Sequence, residues 1–93
     1  MTTLKTLHIL NKPPEHRRYV LCLDAIGPDD GLLLTENGVL AVSQALKVAG
    51  ARCFVLAPDL DARGLAGQIG GNQRVSFDDM VELAASSASV ISW

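Results

Sequence analysis

Cys22 is the residue with the most chemistry to offer. A thiolate attacks sulfane sulfur and can hold it as a persulfide, by the same displacement that exchanges disulfides. That work needs an accessible thiol with a lowered pKa. Arg18 stands one helical turn earlier, on the same side, where its charge favours a thiolate. Cys22 also falls on an apolar stripe with Tyr19, Leu23 and Ile26, and buried free cysteine commonly acts as a small, inert hydrophobe. A sulfur carrier and a packing residue are both open readings at this point. Cys53 lies inside an apolar run ending at Leu56 and reads as a core residue of a strand.

The other chemistry-bearing residues make weaker patterns. His8 alternates within an apolar segment and reads as a core or edge histidine, and His16 reads as solvent-facing. Neither has a Cys, Asp or Glu at metal-ligand spacing, so no metal is expected. Asp59 and Asp61 match no known catalytic carboxylate pair, and Arg63 reads as an ion-pair or interface residue. Gly64, Gly67, Gly70 and Gly71 follow neither G-x-G-x-x-G nor a P-loop, so a flexible connection is the expectation and a nucleotide- or flavin-binding enzyme lacks its motif. Trp93, the sole tryptophan, suits an interface or a docked chain end.

These residues must be positioned by a single domain, residues 1–93. Hydrophobic residues make up 48% of the chain and aromatics only 4%, leaving more aliphatic surface than a small monomer usually hides. Part of it is expected at a subunit interface. The formal net charge of −2 and the lack of a lysine or arginine run argue against autonomous nucleic-acid binding. No apolar run approaches a membrane span, and the apolar stretch at 7–10 is too short for a signal peptide. With two cysteines far apart and no C-x-x-C, a reducing cytoplasmic location with free thiols is expected.

Periodicity predicts strands at 4–10, 31–35, 52–56, 73–75 and 89–93. Helices are expected at 15–26 and 39–48, with a short one within 58–65 and a last one from the Ser76 cap to about residue 87. In that last helix Met80, Val81, Leu83 and Ala84 are expected to face mostly inward, and Gly50 suits a C-cap of the 39–48 helix. Strands alternating with helices imply a mostly parallel sheet, and continuously apolar strands imply cover on both faces. A loop at the end of a parallel strand is where such folds place binding residues, which directs attention to residues 56–69.

Several segments carry a family resemblance. Leu7-His8 is followed by Asn11-Lys12-Pro13-Pro14, and Glu36-Asn37-Gly38-Val39 has Asn37 where an aspartate is usual. Asp59-Leu60 with Ala62-Arg63-Gly64-Leu65 is the most specific match. Phe77, Met80, Val81 and Leu83 fit a Tyr-x-x-Phe-Val-x-Leu pattern with both aromatic positions changed, and Trp93 closes the series. In order and spacing the chain resembles the TusB/DsrH family of sulfur-relay subunits.

The resemblance implies a small flavodoxin-like (DsrEFH-like) three-layer α/β domain with a sheet of four to five strands and no cofactor. It implies a cytoplasmic hetero-hexamer with TusC/DsrF-like and TusD/DsrE-like subunits, passing persulfide sulfur to a TusE/DsrC-like acceptor toward 2-thiouridine at the tRNA wobble position. In the DsrH branch the same architecture serves sulfur oxidation. Cys22 matches the position of that branch's second cysteine, which many TusB members lack. Asp59, Arg63, Gly64, Leu65 and Trp93 are its interface or motif residues. No direct contact with nucleic acid or membrane is implied, and without its partners the chain could pair with itself.

Overall fold

Short-range signals set where the elements begin. Helix α1 (Arg17–Ala25) starts at His16, whose Nδ1 accepts the Arg18 backbone N–H at 3.0 Å. Its stripe buries Tyr19 and Cys22 and leaves Val20 and Leu21 in solvent. The short α2 (Ala57–Ala62) carries Pro58 in its first turn, where the missing N–H costs nothing. Helix α3 (Phe77–Ser86) opens with a complete capping box. Ser76 Oγ accepts the Asp79 N–H at 3.1 Å, and the Asp79 carboxylate accepts the Ser76 N–H at 3.2 Å. Ser76→Ala is expected to cost about 1 kcal/mol of unfolding free energy in a urea titration.

The computed structural model describes residues 4–41, 52–65 and 73–93. Five strands, β1 (Thr6–Leu10), β2 (Gly31–Leu34), β3 (Cys53–Leu56), β4 (Gln73–Val75) and β5 (Ser89–Ser92), form one sheet in the order β4-β3-β2-β1-β5. Every pairing is parallel. The chain winds from β1 outward to β4, and β5 then returns to the far side of β1. β1 thus lies between β2 and β5.

Both sheet faces are covered. On one, Leu10, Leu32, Leu34, Cys53 and Val55 meet Tyr19 and Cys22 of α1, Leu60 of α2, and Val39 and Ala41. On the other, Leu4, Leu7, Leu33, Leu56 and Val75 receive Met80, Leu83 and Ala84 of α3. All four residues of β2 are buried, its leucines completely. Each contributes about 2 kcal/mol through apolar area removed from water.

Three expectations differ from the structure. Val81 is 59% exposed, because α3 lies on the sheet through a narrow stripe and turns that side outward. The helix expected from residue 39 has its first three residues in a 3-10 turn, Glu36–Ala41, while its remainder, Gly50 and the loop at 67–72 lie outside the described residues. β5 is exposed at every position as an edge strand, where continuous burial had been expected. Among the described residues no helix is long and apolar enough to cross a membrane.

Candidate functional site

The two motif segments meet at the carboxyl ends of the central strands. β2 ends at Leu34, and the chain turns through Thr35 and Glu36 into the 3-10 turn. Thr35 N–H still bonds Leu10 O at 3.1 Å, which keeps the turn against β1. Glu36 has a φ of 48°, a left-handed conformation that is uncommon for a side-chain-bearing residue. Its N–H is thereby turned to Asp59 Oδ2 of α2 at 2.7 Å. Arg63, at the end of α2, donates to Asn37 Oδ1. Asp59 and Arg63 thus fasten α2 to the segment after β2. A short aspartate carboxylate would leave Arg63 the same acceptor with charge added, so Asn37 retains this tie.

Gly38 permits the close approach. A Cβ built there would lie 2.0 Å from Leu10 O and 2.9 Å from Leu10 C. Gly64, at φ 66°, ends α2, and its N–H bonds Asp61 O at 3.0 Å. Leu65 N–H bonds Leu60 O at 3.1 Å, and its side chain packs on the core. Arg74 of β4 pairs with Asp61 at 2.9 Å. A cavity of about 310 Å³ opens beside this junction, bounded by Ile9, Asn11, Thr35, Glu36, Leu56 and Asp59, with Phe77 and Met80 of α3 on its far side. It lies where parallel α/β sheets place ligands.

Cys22 is elsewhere. Its side chain is fully buried between α1 and the sheet, and burial pushes its thiol up to about 12. Arg18 is exposed on the same helix. Cys53 is enclosed as well, with its thiol also pushed up to about 12 by burial. Both are free. A thiol raised this far is almost entirely protonated at neutral pH. Maleimide is therefore expected to label neither thiol of the native isolated chain within minutes and both after urea unfolding; mass spectrometry of the adducts checks this.

The arrangement invisible in sequence spacing centres on His8. Its Nε2 lies 2.9 Å from Asp30 Oδ2, and the Trp93 indole N–H donates to its Nδ1 at 3.2 Å. An indole nitrogen only donates, so the ring proton of His8 stands on Nε2, facing Asp30. The His8 and Trp93 rings stack with centroids 6.1 Å apart. Burial opposes the charge on Asp30. Hydrogen bonds from Gly27 N–H and His8 outweigh it and hold the carboxyl below its usual value. Half-buried Trp93 also binds Ile9 O through its N–H, and its main-chain oxygen accepts from Lys12 Nζ, both at 2.9 Å. Trp93 thus ties the end of β5 to β1. His16 is exposed and serves as the α1 cap. Among the described residues no three His, Cys, Asp or Glu side chains gather in a way that could hold a metal ion.

Fold and site together define a small, all-parallel, three-layer α/β protein. Its described cysteines are packed inside, and its motif residues gather at one end of the sheet. The description "DsrH like protein" matches residues 12–90, and the chain belongs to that family. Among similar proteins, Protein TusB of Klebsiella pneumoniae (strain 342) is 37% identical, covering 94% of this chain and 99% of that one. Protein TusB of Escherichia coli O139:H28 is 31% identical over the same shares. The solution NMR structure of protein Tm0979 from Thermotoga maritima is similar in fold, with a TM-score of 0.67 at 19% identity, over 86% of this chain and 91% of that one.

Proposed function

We propose that this chain is a non-autonomous subunit of a sulfur-relay complex, acting in 2-thiolation of the tRNA wobble uridine in the cytoplasm. The observation that carries the reading is the near-full-length likeness to proteins called TusB. It favours the tRNA branch over sulfur oxidation. The partners in this reading are TusC- and TusD-like subunits in a hetero-hexamer, with a TusE-like protein receiving the sulfur. Exposed apolar side chains support an assembled state: Val20 and Leu21 on α1, Phe77 and Val81 on α3, and Val90 and Ile91 on the β5 edge.

Within this reading Cys22 packs α1 onto the sheet, and a partner subunit carries the persulfide. Its complete burial and raised thiol support that division of labour. The alternative, Cys22 as a transient carrier, requires α1 to move off the sheet in the assembly. The test is affinity capture of the tagged chain from its own cells, with subunits identified and sized by mass spectrometry. Two related small α/β subunits in equal amounts are expected; recovery of the chain alone would overturn the relay reading. In the assembled complex, Cys22→Ser is expected to leave sulfur flux to tRNA unchanged, and loss of flux with assembly intact would assign Cys22 as a carrier.

A further inference from the structure

The strand-end cavity holds a polar group with no use in the isolated chain. Thr35 is 7% exposed, and its hydroxyl has no hydrogen-bond partner among the described residues. Leaving a buried hydroxyl unbonded is unfavourable. Alternation along β2 sends Leu34 toward α1 and Thr35 to the opposite face, the side of the cavity that Leu56 and Met80 share.

The charges beside Thr35 have one sign. Among the described residues neither Glu36 nor Asp59 is paired with a cation: Arg63 is bound to Asn37 and Arg74 to Asp61. Lys12, next to Asn11 at the cavity rim, is directed to Asn11 Oδ1 and to Trp93 O. Ile9, Leu56 and Met80 supply an apolar wall beneath those carboxylates. An aliphatic stem ending in a cationic donor satisfies all of these groups together. The apolar wall continues onto the surface through Phe77 and, one turn along α3, Val81, both exposed. That continuity favours a protein over a free metabolite.

We propose that this cavity receives a lysine side chain of a partner protein, its stem against Leu56 and Met80 and its ammonium on Thr35 Oγ1, Glu36 and Asp59. The identity of the occupant as a protein rests on the subunit reading above; the recognition chemistry does not. A lysine ammonium has three donors, which matches one hydroxyl and two carboxylates.

The test is an NMR titration of the isolated, isotope-labelled chain with N-acetyl-lysine methylamide, so it stands whether or not affinity capture recovers partners. Saturable shifts are expected at Thr35, Glu36, Asp59 and the Met80 methyl. N-acetyl-norleucine methylamide, with the same stem and no charge, is expected to bind about tenfold more weakly. Thr35→Val is expected to weaken the lysine probe severalfold while keeping or raising the melting temperature, since it removes an unbonded buried hydroxyl. Glu36→Gln is expected to weaken the probe without unfolding the chain, because only the Glu36 backbone takes part in the Asp59 bond. Shifts absent from these residues, or equal for the norleucine probe, would overturn the proposal. So would a Thr35→Val variant that melts lower and binds the probe unchanged. Tighter binding of free n-butylamine than of the lysine probe would reassign the cavity to a small amine.

Discussion

Gly38→Ala is expected to destabilise the fold by about 3 kcal/mol, at the upper end of ordinary overpacking. The added methyl would meet the backbone oxygen of Leu10, which no rotamer change can clear. Relief requires moving the 3-10 turn away from β1, and two hydrogen bonds resist that movement. Thr35 N–H is bonded to Leu10 O, and Gly38 N–H to Thr35 O at 2.8 Å. The displaced turn would also carry Glu36 and Asn37 away from Asp59 and Arg63. Urea unfolding of the variant measures the loss. Gly31 provides the contrast. Its added methyl would meet Leu4 Cδ1 at 2.6 Å, the end of a flexible side chain that can rotate away. Gly31→Ala is therefore expected to cost about 1 kcal/mol, well below Gly38→Ala. Equal losses at the two sites would show that backbone contact at Gly38 is not the cause.

His8→Ala is expected to cost a similar amount, about 3 kcal/mol, from a cavity and two polar groups stranded together. Asp30 would lose its imidazole donor and the Trp93 indole its acceptor. Trp93→Phe removes only the indole N–H and part of the ring, and about 1 kcal/mol is expected. Because both changes act through one network, a His8/Trp93 double-mutant cycle should be non-additive. As the only tryptophan, Trp93 reports the His8→Ala loss by fluorescence, and far-ultraviolet circular dichroism follows the variants that lack it.

The network also gives stability a pH dependence with a definite sign. Asp30 has a lowered folded-state pKa, so its contribution is fully present above the ordinary carboxylate range. It is lost as pH falls through the lowered folded value. Asp30→Asn should flatten that acid limb in urea midpoints measured from pH 3 to 7. An unchanged limb would remove Asp30 from the account.

Much of the architecture was legible because it is written in short-range chemistry. The apolar run of β2 called for cover on both faces, and all four of its residues are buried. Ser76 announced a helix start as its N-cap, and in the structure Asp79 completes a capping box with it. The stripe through Tyr19 and Cys22 is the buried side of α1. Periodicity misjudged Val81, because a helix pattern shows which side is apolar but not how wide a strip the sheet will cover. It also read a regular helix from residue 39, where contact between Gly38 and the end of β1 accompanies a tighter 3-10 turn. The burial of β5 failed for a related reason: an edge strand carries the same apolar residues as a central one, and only the strand order exposes it.

By itself, then, the sequence determined the element types, the parallel α/β class and the family, since each is encoded in local periodicity, caps and ordered motif spacing. Tertiary structure alone decided which of those residues act together. Glu36 and Asn37 find Asp59 and Arg63 across 23 and 26 residues, and His8 finds Asp30 and Trp93 across 22 and 85. Such meetings depend on strand order and register, quantities set by the whole packed sheet. The same packing enclosed Cys22, for which the sequence had left both sulfur carrying and core packing open.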